Sequence, residues 1–452
     1  MKHINKLLFL SLCLVIASCA DNLEVAPVDT VNEKDALKTS ADVEALVVGA
    51  YDAIGDGDLL GGNMLRDAEL LADDGDLFWD GTFVAPGEIW TKDMQITNDQ
   101  AENTWLDGYR TINTCNLVLA NLNLVVDAKK QTVEGDAKFV RGLMYFELVR
   151  LYAKTWTDGN PASNPGLPLI LAPTTVAGLE DSKKVTRASV QAVYQQIISD
   201  LTDAEGLLPE DNGFFANTYV VSAILSRVYL MQNNYADAAA AADRVIQSGS
   251  FALLSDYADN FNKTSAGAGS TTSSEDVFSI QVTDQDGVNN MNTFFASSDF
   301  SGRGDIYIEP AHFNRYESGD ARLDVFYDDE RTGKWNNQFG NVNIVRLSEM
   351  YLTRAEANFR EGTSIGDTPL NDINTIRNRV GLADLGVLTI DDILNERLLE
   401  LAFEGHLLHD LKRTQRSVGA LSFDADELVF PIPQRERIIN PGLTQNPGYG
   451  SN

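Results

Sequence analysis

Near the C-terminal end, His406, His409 and Asp410 stand at i, i+3 and i+4. On a helix that spacing puts all three on one face, as a zinc site requires. The chain holds four histidines in all, no fourth ligand stands nearby, and Asp410 has Lys412 and Arg413 as simpler partners. The triplet is therefore read as structural. Gly55–Gly62, "GDGDLLGG", has the glycine density of a phosphate loop, but it follows a helical pattern instead of a strand, and Asp56 and Asp58 would repel phosphate. No Gly-x-Ser-x-Gly elbow or supported Cys–His pair is present, and carboxylates are too numerous for a glycosidase pair to be picked out by spacing. Asp56-Gly-Asp58 and Asp73-Asp74-Gly75-Asp76 offer the oxygen ligands calcium prefers. Neither extends to a twelve-residue calcium loop, so both read as solvated acidic turns. Arg303-Gly304-Asp305 reads as an ordinary turn. No catalytic residue, metal or cofactor is assigned.

Aromatic side chains in loops carry a different chemistry. The apolar C–H face of a sugar stacks on an electron-rich ring while its hydroxyls bond to Asp, Asn or Arg. Trp79 with Asp80, Trp90, Phe294 and Phe295, and Trp335 with Asn336 and Asn337 combine aromatic and polar residues in loop-rich sequence. They are the candidate ligand platform. Trp105 and Trp156 lie beside helical stripes and read as core or helix-end packing.

The cysteines say where this chemistry would take place. Lys2 and Lys6 precede an uncharged apolar run, Leu7–Ser18, too short to span a membrane, and Ile16-Ala17-Ser18-Cys19 follows. That order is a secretory signal, and its last four residues look like a bacterial lipobox. Cleavage before Cys19 leaves a lipidated first residue, anchored firmly because several acyl chains each contribute about 0.8 kcal/mol per buried methylene. Residues 1–18 are then the signal and 19–36 a tether, and Cys115 is the one other cysteine retained, so no internal disulfide framework exists. With 66 acidic against 35 basic residues the net charge is −31, which excludes nucleic-acid binding.

The elements that must position the platform are mainly helical. Apolar residues recur at helical spacing over Ala36–Ile54, Trp105–Val126, Glu134–Trp156, Ala188–Leu208, Thr218–Gln232 and Tyr235–Ser248, and again over Ser348–Arg360 and Pro369–Val380. Ala223, Tyr229, Tyr235, Ala239 and Val245 give the small and aromatic pattern of a tetratricopeptide hairpin, in which small residues let two helices approach closely. One last helix is expected from Thr389 to Arg413, opened by a Thr389–Asp392 capping box. Large insertions at about 55–99 and 250–343 interrupt the scaffold, the second containing a half-buried strand at Asp276–Val282. The Pro- and Gly-rich tail is expected to fold back over the surface.

Several segments carry a resemblance. "GDAKFVRGLMYFELVRLYA", "TYVVSAILSRVYLMQNNYADAAAAADRVIQSGSFAL", "RLSEMYLTRAEANFREG", "LNDINTIRNRVGL", "ILNERLLELAFEGHLLHDLKR" and "FPIPQRERIINPGLTQNPGY" together resemble the SusD/RagB family of Bacteroidetes outer-membrane lipoproteins, over essentially the whole chain. The resemblance implies a single domain over 37–452, with tetratricopeptide-like hairpins supporting an irregular, ligand-facing side. It implies a non-enzymatic role: a lipid-anchored outer-membrane protein facing the cell exterior, which binds a nutrient, with an oligosaccharide favoured, and delivers it to a SusC-like TonB-dependent transporter. A structural lid of the transporter, or a receptor for a peptide, is the alternative. Gly405–His409, "GHLLH", departs from the arginine and aromatic residue common in relatives and implies altered local packing there.

Overall fold

The computed structural model describes residues 37–174, 184–261, 272–285 and 287–450. The signal, Cys19, the tether and most of the Ser/Gly/Thr-rich stretch at 264–274 lie outside them. The helices follow from the sequence periodicity. α1 (Ser40–Ile54) opens on a capping box in which Thr39 and Asp42 bond reciprocally. α2 (Asn63–Ala72), β1 (Leu77–Trp79) and α3 (Val84–Thr91) come next, then α4 (Asp99–Ala120) and α5 (Asp127–Tyr152). α6 (Val190–Leu207), α7 (Thr218–Met231) and α8 (Tyr235–Gln247) complete the first part.

α1, α4, α5, α6, α7 and α8 pack in succession, each against the next. Close approach is bought sterically at Gly108, where a Cβ would meet Leu148, and at Gly142, where it would meet Leu201. Arg141 then ties α5 to α6 through a two-pronged bond to Asp200, at 2.7 and 2.8 Å.

The insertion contains β2 (Asp276–Ile280), α9 (Asn290–Phe295), β3 (Ile306–Ile308), α10 (Pro310–Phe313), β4 (Phe326–Tyr327), β5 (Arg331–Thr332) and β6 (Val342–Arg346). α11 (Leu347–Glu361) and α12 (Pro369–Arg379) follow. α11 packs on α8, and Ala357 joins Leu230, Ala238 and Ala239 in one buried cluster. The two predicted hairpins therefore stack directly although the insertion separates them in sequence. The strands pair as three antiparallel ribbons, β1–β3, β2–β6 and β4–β5. β2 is buried along its whole length, where half-burial was expected, because β6 covers it and both lie against the helices.

Two further expectations are corrected. The tract 55–99 is not without regular structure: α2, β1 and α3 occupy nearly half of it. The helix expected over Thr389–Arg413 is two helices, α13 (Ile390–Glu400), with its capping box as expected, and α14 (Leu407–Arg413). Between them Phe403 and Gly405 take φ of 63° and 83°, left-handed values that no helix continues through. The interruption is tightly held. Glu69 on α2 accepts the N–H groups of Gly405 and His406 at 2.7 and 3.0 Å. Lys334 donates to the carbonyls of Glu400 and Ala402 and to the carboxylate of Glu404. The backbone groups freed by the break are thus satisfied by other side chains.

The tail adds α15 (Gln434–Ile439) and does more than cover the surface: Phe430 and Ile432 are buried in the core. Asn446 donates to the carbonyls of Tyr152 and Phe430, sealing the end of α5. Among the described residues no helix is long and apolar enough to cross a membrane.

Candidate functional site

The β1–β3 ribbon decides which aromatic side chains reach solvent. Leu77, Phe78 and Trp79 pair with Ile308, Tyr307 and Ile306, and successive residues of a strand point to opposite faces. Leu77, Trp79, Ile306 and Ile308 therefore face the core and Phe78 and Tyr307 face outward. Phe78 is 43 % exposed and Trp79 only 7 %.

The Trp79 ring lies 5.9 Å from Phe294, and Gly81 sits so close over the indole that a Cβ there would collide with it. Trp79 is thus a core residue, a correction of its candidate role. Asp80 stays exposed, its N–H bonded to the Asp305 carbonyl at 2.8 Å.

Trp90 is half-buried and meets Phe78 edge to face, centroids 5.4 Å apart. Its orientation is fixed by an Nε1 bond to Asp73 Oδ2 at 2.9 Å. The other Asp73 oxygen accepts the N–H groups of Gly75 and Leu77, so one carboxylate sets both the turn and the ring.

Tyr307 carries the Arg331 guanidinium over its face at 3.7 Å, and Arg331 is itself pinned by the carbonyls of Gly304 and Ile306. Four residues beyond β1, Phe83 is 49 % exposed. Arg303 lies 4.6 Å over its ring and is bonded to Asp305 at 2.8 Å. Arg303 of the 303–305 stretch thus holds a cation against an aromatic ring.

The remaining candidates do not join this surface. Phe294 and Phe295 are buried, the first under Arg66 at 4.2 Å, the second 5.9 Å from Phe403. Trp335 is 3 % exposed and donates Nε1–H to the Phe403 carbonyl at 3.0 Å. It clamps the α13–α14 break and offers no sugar a face. Asn336 and Asn337 are buried beside it, and Asn337 accepts the Phe339 N–H. The exposed rings Phe78 and Phe83 and the half-buried Tyr307 are those the sequence reading missed. For Phe78 the signal was present: in a strand, an inward Trp79 requires an outward neighbour.

Asp76 is no solvated turn residue either. It is buried and bonded to His312 Nδ1 at 3.3 Å and to Arg315 at 2.9 Å. Burial holds His312 below its ordinary value while Asp76 opposes that shift. Asp56 and Asp58 bring their carboxylates within 4.8 Å of each other and of Asp107. Asp58 already accepts from Asn63 and Gln100, and Asp107 from Arg110. His406 and His409 are buried, and burial holds both well below the ordinary value. Asp410 pairs with Arg413, as expected, and with Arg397. Trp105 and Trp156 pack against Tyr152 and Tyr194 as predicted.

Two family models match this chain: one described as "Starch-binding associating with outer membrane" over residues 27–230, the other as "SusD family" over 314–425. The chain belongs to the SusD/RagB family. It is 24 % identical to "SusD-like protein P2" of Formosa agariphila, over 98 % of this chain and 99 % of that protein. It is also 31 % identical to "Starch-binding protein SusD" of Bacteroides thetaiotaomicron, over 24 % of this chain and 22 % of that one. The fold matches a crystal structure of a "Putative sugar binding protein" from Bacteroides vulgatus, with TM-score 0.81, 23 % identity and coverage of 92 % and 100 % of the two chains. A SusD superfamily protein from the same species matches with TM-score 0.81 and 24 % identity, over 92 % and 100 %.

Proposed function

We propose that the protein captures a glycan at the outer membrane on the aromatic face of the β1–β3 ribbon and passes it to a SusC-like TonB-dependent transporter. The observation that carries the reading is the outward pair Phe78 and Tyr307, flanked by Trp90 and Phe83, with Asp80, Arg303 and Arg331 as polar neighbours. The exposed rings of Phe78 and Phe83 stand beside the half-buried Trp90 and Tyr307, which Asp73 and Arg331 hold in place, so sugar-stacking surface is presented at little ordering cost. The names of the relatives and the family description support a carbohydrate as the ligand. Anchoring through acylated Cys19, facing the cell exterior, and the absence of catalytic turnover belong to the same proposal.

Affinity electrophoresis and calorimetry against a panel of neutral and charged polysaccharides test it. Binding by the wild type, lost in the Phe78→Ala, Trp90→Ala, Tyr307→Ala triple variant with melting unchanged, is the expected result. A chain that binds no glycan yet co-purifies with a transporter would favour the structural-lid reading. Reducing-end assays should show no hydrolysis, and mass spectrometry should find Cys19 acylated.

A further inference from the structure

Val48 on α1, Phe214 in the α6–α7 loop and Val288 just before α9 are 54, 73 and 48 % exposed. They rim a cleft of about 470 Å³ between α1, that loop and β2, a volume within the range of small-molecule sites. None of the three lies on the β1–β3 face.

The rim stands on an ordered wall. Phe215 stacks on Tyr51 with centroids 4.5 Å apart, and Tyr51 on Phe139 at 6.3 Å. The Tyr51 hydroxyl accepts the Ala216 N–H at 3.1 Å and donates to Asp136 at 2.8 Å. Asn212 donates to the same carboxylate oxygen at 3.1 Å and to the Ala216 carbonyl at 2.8 Å. The backbone that carries Phe214 is thus pinned on both sides of it, and the exposed ring is offered at little ordering cost.

Polar groups share the cleft. Asp52 and Asp56 are exposed, and neither forms an ion pair among the described residues. Asp56 Oδ1 accepts the Asp58 N–H, and on the β2 wall Gln281 donates to Ser279. Among the described residues no lysine, arginine or histidine lines the cleft. An anionic guest therefore meets only like charge, and a purely apolar guest would strip water from carboxylates without replacing it. A neutral sugar has what the cleft asks for, a C–H face for the ring and hydroxyls that donate to the carboxylates.

The cleft is joined to the aromatic face by one short helix. Gly57, on its lip, lies so close to Asn290 that a Cβ there would meet the side-chain amide, and Asn290 opens α9. In the last turn of α9, Phe294 stands 6.1 Å from Phe83 of the aromatic face. Six helical residues span about 9 Å.

We infer that the cleft is a second sugar-contact site, so that the protein takes a long neutral glycan chain held near Phe78 and Phe83 at one end of α9 and near Phe214 at the other. This inference rests on the glycan reading above and adds to it the length and charge of the ligand. Two contacts on one chain reinforce each other, so long chains bind more tightly than short ones.

Titration calorimetry of the chain secreted with Cys19→Ser tests it. The probes are soluble starch, laminarin, xylan, galactomannan and polygalacturonate, with the trisaccharide of whichever neutral chain binds best. Phe214→Ala should lower affinity for that polysaccharide about two- to twelvefold, and Asp52→Ala should lower it as well. Both variants should bind the trisaccharide, held on the aromatic face, like the wild type. Their thermal melts should match the wild type, because both side chains are exposed. Polysaccharide binding lost in the Phe78→Ala, Trp90→Ala, Tyr307→Ala variant yet indifferent to Phe214→Ala and Asp52→Ala would overturn this inference and leave the glycan reading standing. No binding of any probe would overturn both. Equal losses for trisaccharide and polysaccharide on Phe214→Ala, or tightest binding of polygalacturonate, would also overturn the inference.

Discussion

Trp79 and Phe78 are neighbours in the chain with opposite surroundings, so alanine at each should give opposite phenotypes. Trp79 is packed under Gly81 and against Phe294, and truncating such a ring leaves a cavity costing about 3–5 kcal/mol. Unfolding entropy is about 2.1 cal/mol/K per residue near 60 °C. Over a chain of 452 residues that totals about 0.95 kcal/mol/K, so Trp79→Ala should lower Tm by about 3–5 °C. Its glycan affinity, measured well below the melt, should hardly change.

Phe78 is 43 % exposed and touches Trp90 at its edge, so Phe78→Ala leaves no sealed cavity and should shift Tm by less than about 1 °C. What it removes is a stacking face. Aromatic contacts of this kind contribute about 0.5–1.5 kcal/mol, a two- to twelvefold loss of affinity. Scanning calorimetry reads the first variant and titration calorimetry with the best-binding polysaccharide the second. If Trp79→Ala lost glycan binding at unchanged Tm while Phe78→Ala bound like the wild type, the register that turns Phe78 outward would be wrong.

Three further outcomes are expected. Trp335→Phe removes the donor to the Phe403 carbonyl and should destabilise by about 1–3 kcal/mol in urea melts, with glycan binding unchanged. Arg227→Ala removes the closer of the two buried arginines on Glu349, at 2.7 Å, leaving Arg397 at 3.4 Å, and should cost about 3 kcal/mol by the same measurement. Burial pushes the Asp136 carboxyl up to about 7, with bonds from Tyr51 and Asn212 opposing, so the native state holds this proton more tightly than the unfolded chain. Stability contributed there is present below pH 4 and falls as pH rises to 7. Asp136→Asn should therefore gain on the wild type by about 2–3 kcal/mol between pH 5 and pH 8, read from urea midpoints at the two pH values.

The helices were legible because each buries a stripe of regular period. The Thr389 capping box and the Ala239–Ala357 stacking follow from the same local rules. The site was much less legible, and the reason is the length of its elements. Three residues of β1 are too few for an alternation to stand out, so the larger ring, Trp79, attracted attention that belonged to Phe78. Trp335 misled in another way. Asparagines beside a tryptophan suggest a wet loop, yet here they line a buried junction whose polar groups serve the backbone. The interruption of the last helix was hidden because Phe403, a residue that resists left-handed φ, carries it, and Gly405 alone gave little warning.

That strained turn and the aromatic face belong to one construction. A two-stranded ribbon of three residue pairs is at best marginally stable by itself, so its outward rings depend on what stands behind it. Asp76 accepts the Glu309 N–H through its carbonyl, closing the ribbon beyond Ile308, and grips His312 through its carboxylate. His312 lies 4.6 Å from Phe403, and Phe403 is fixed in turn by Trp335 at its carbonyl. A left-handed phenylalanine costs about 1–3 kcal/mol, and here it supplies the ring on which His312 rests. The conformational cost of the helix break is therefore borne at the place where it gives a short ribbon a rigid back. The buried tryptophan first read as a sugar platform supports the proposed one from three contacts away.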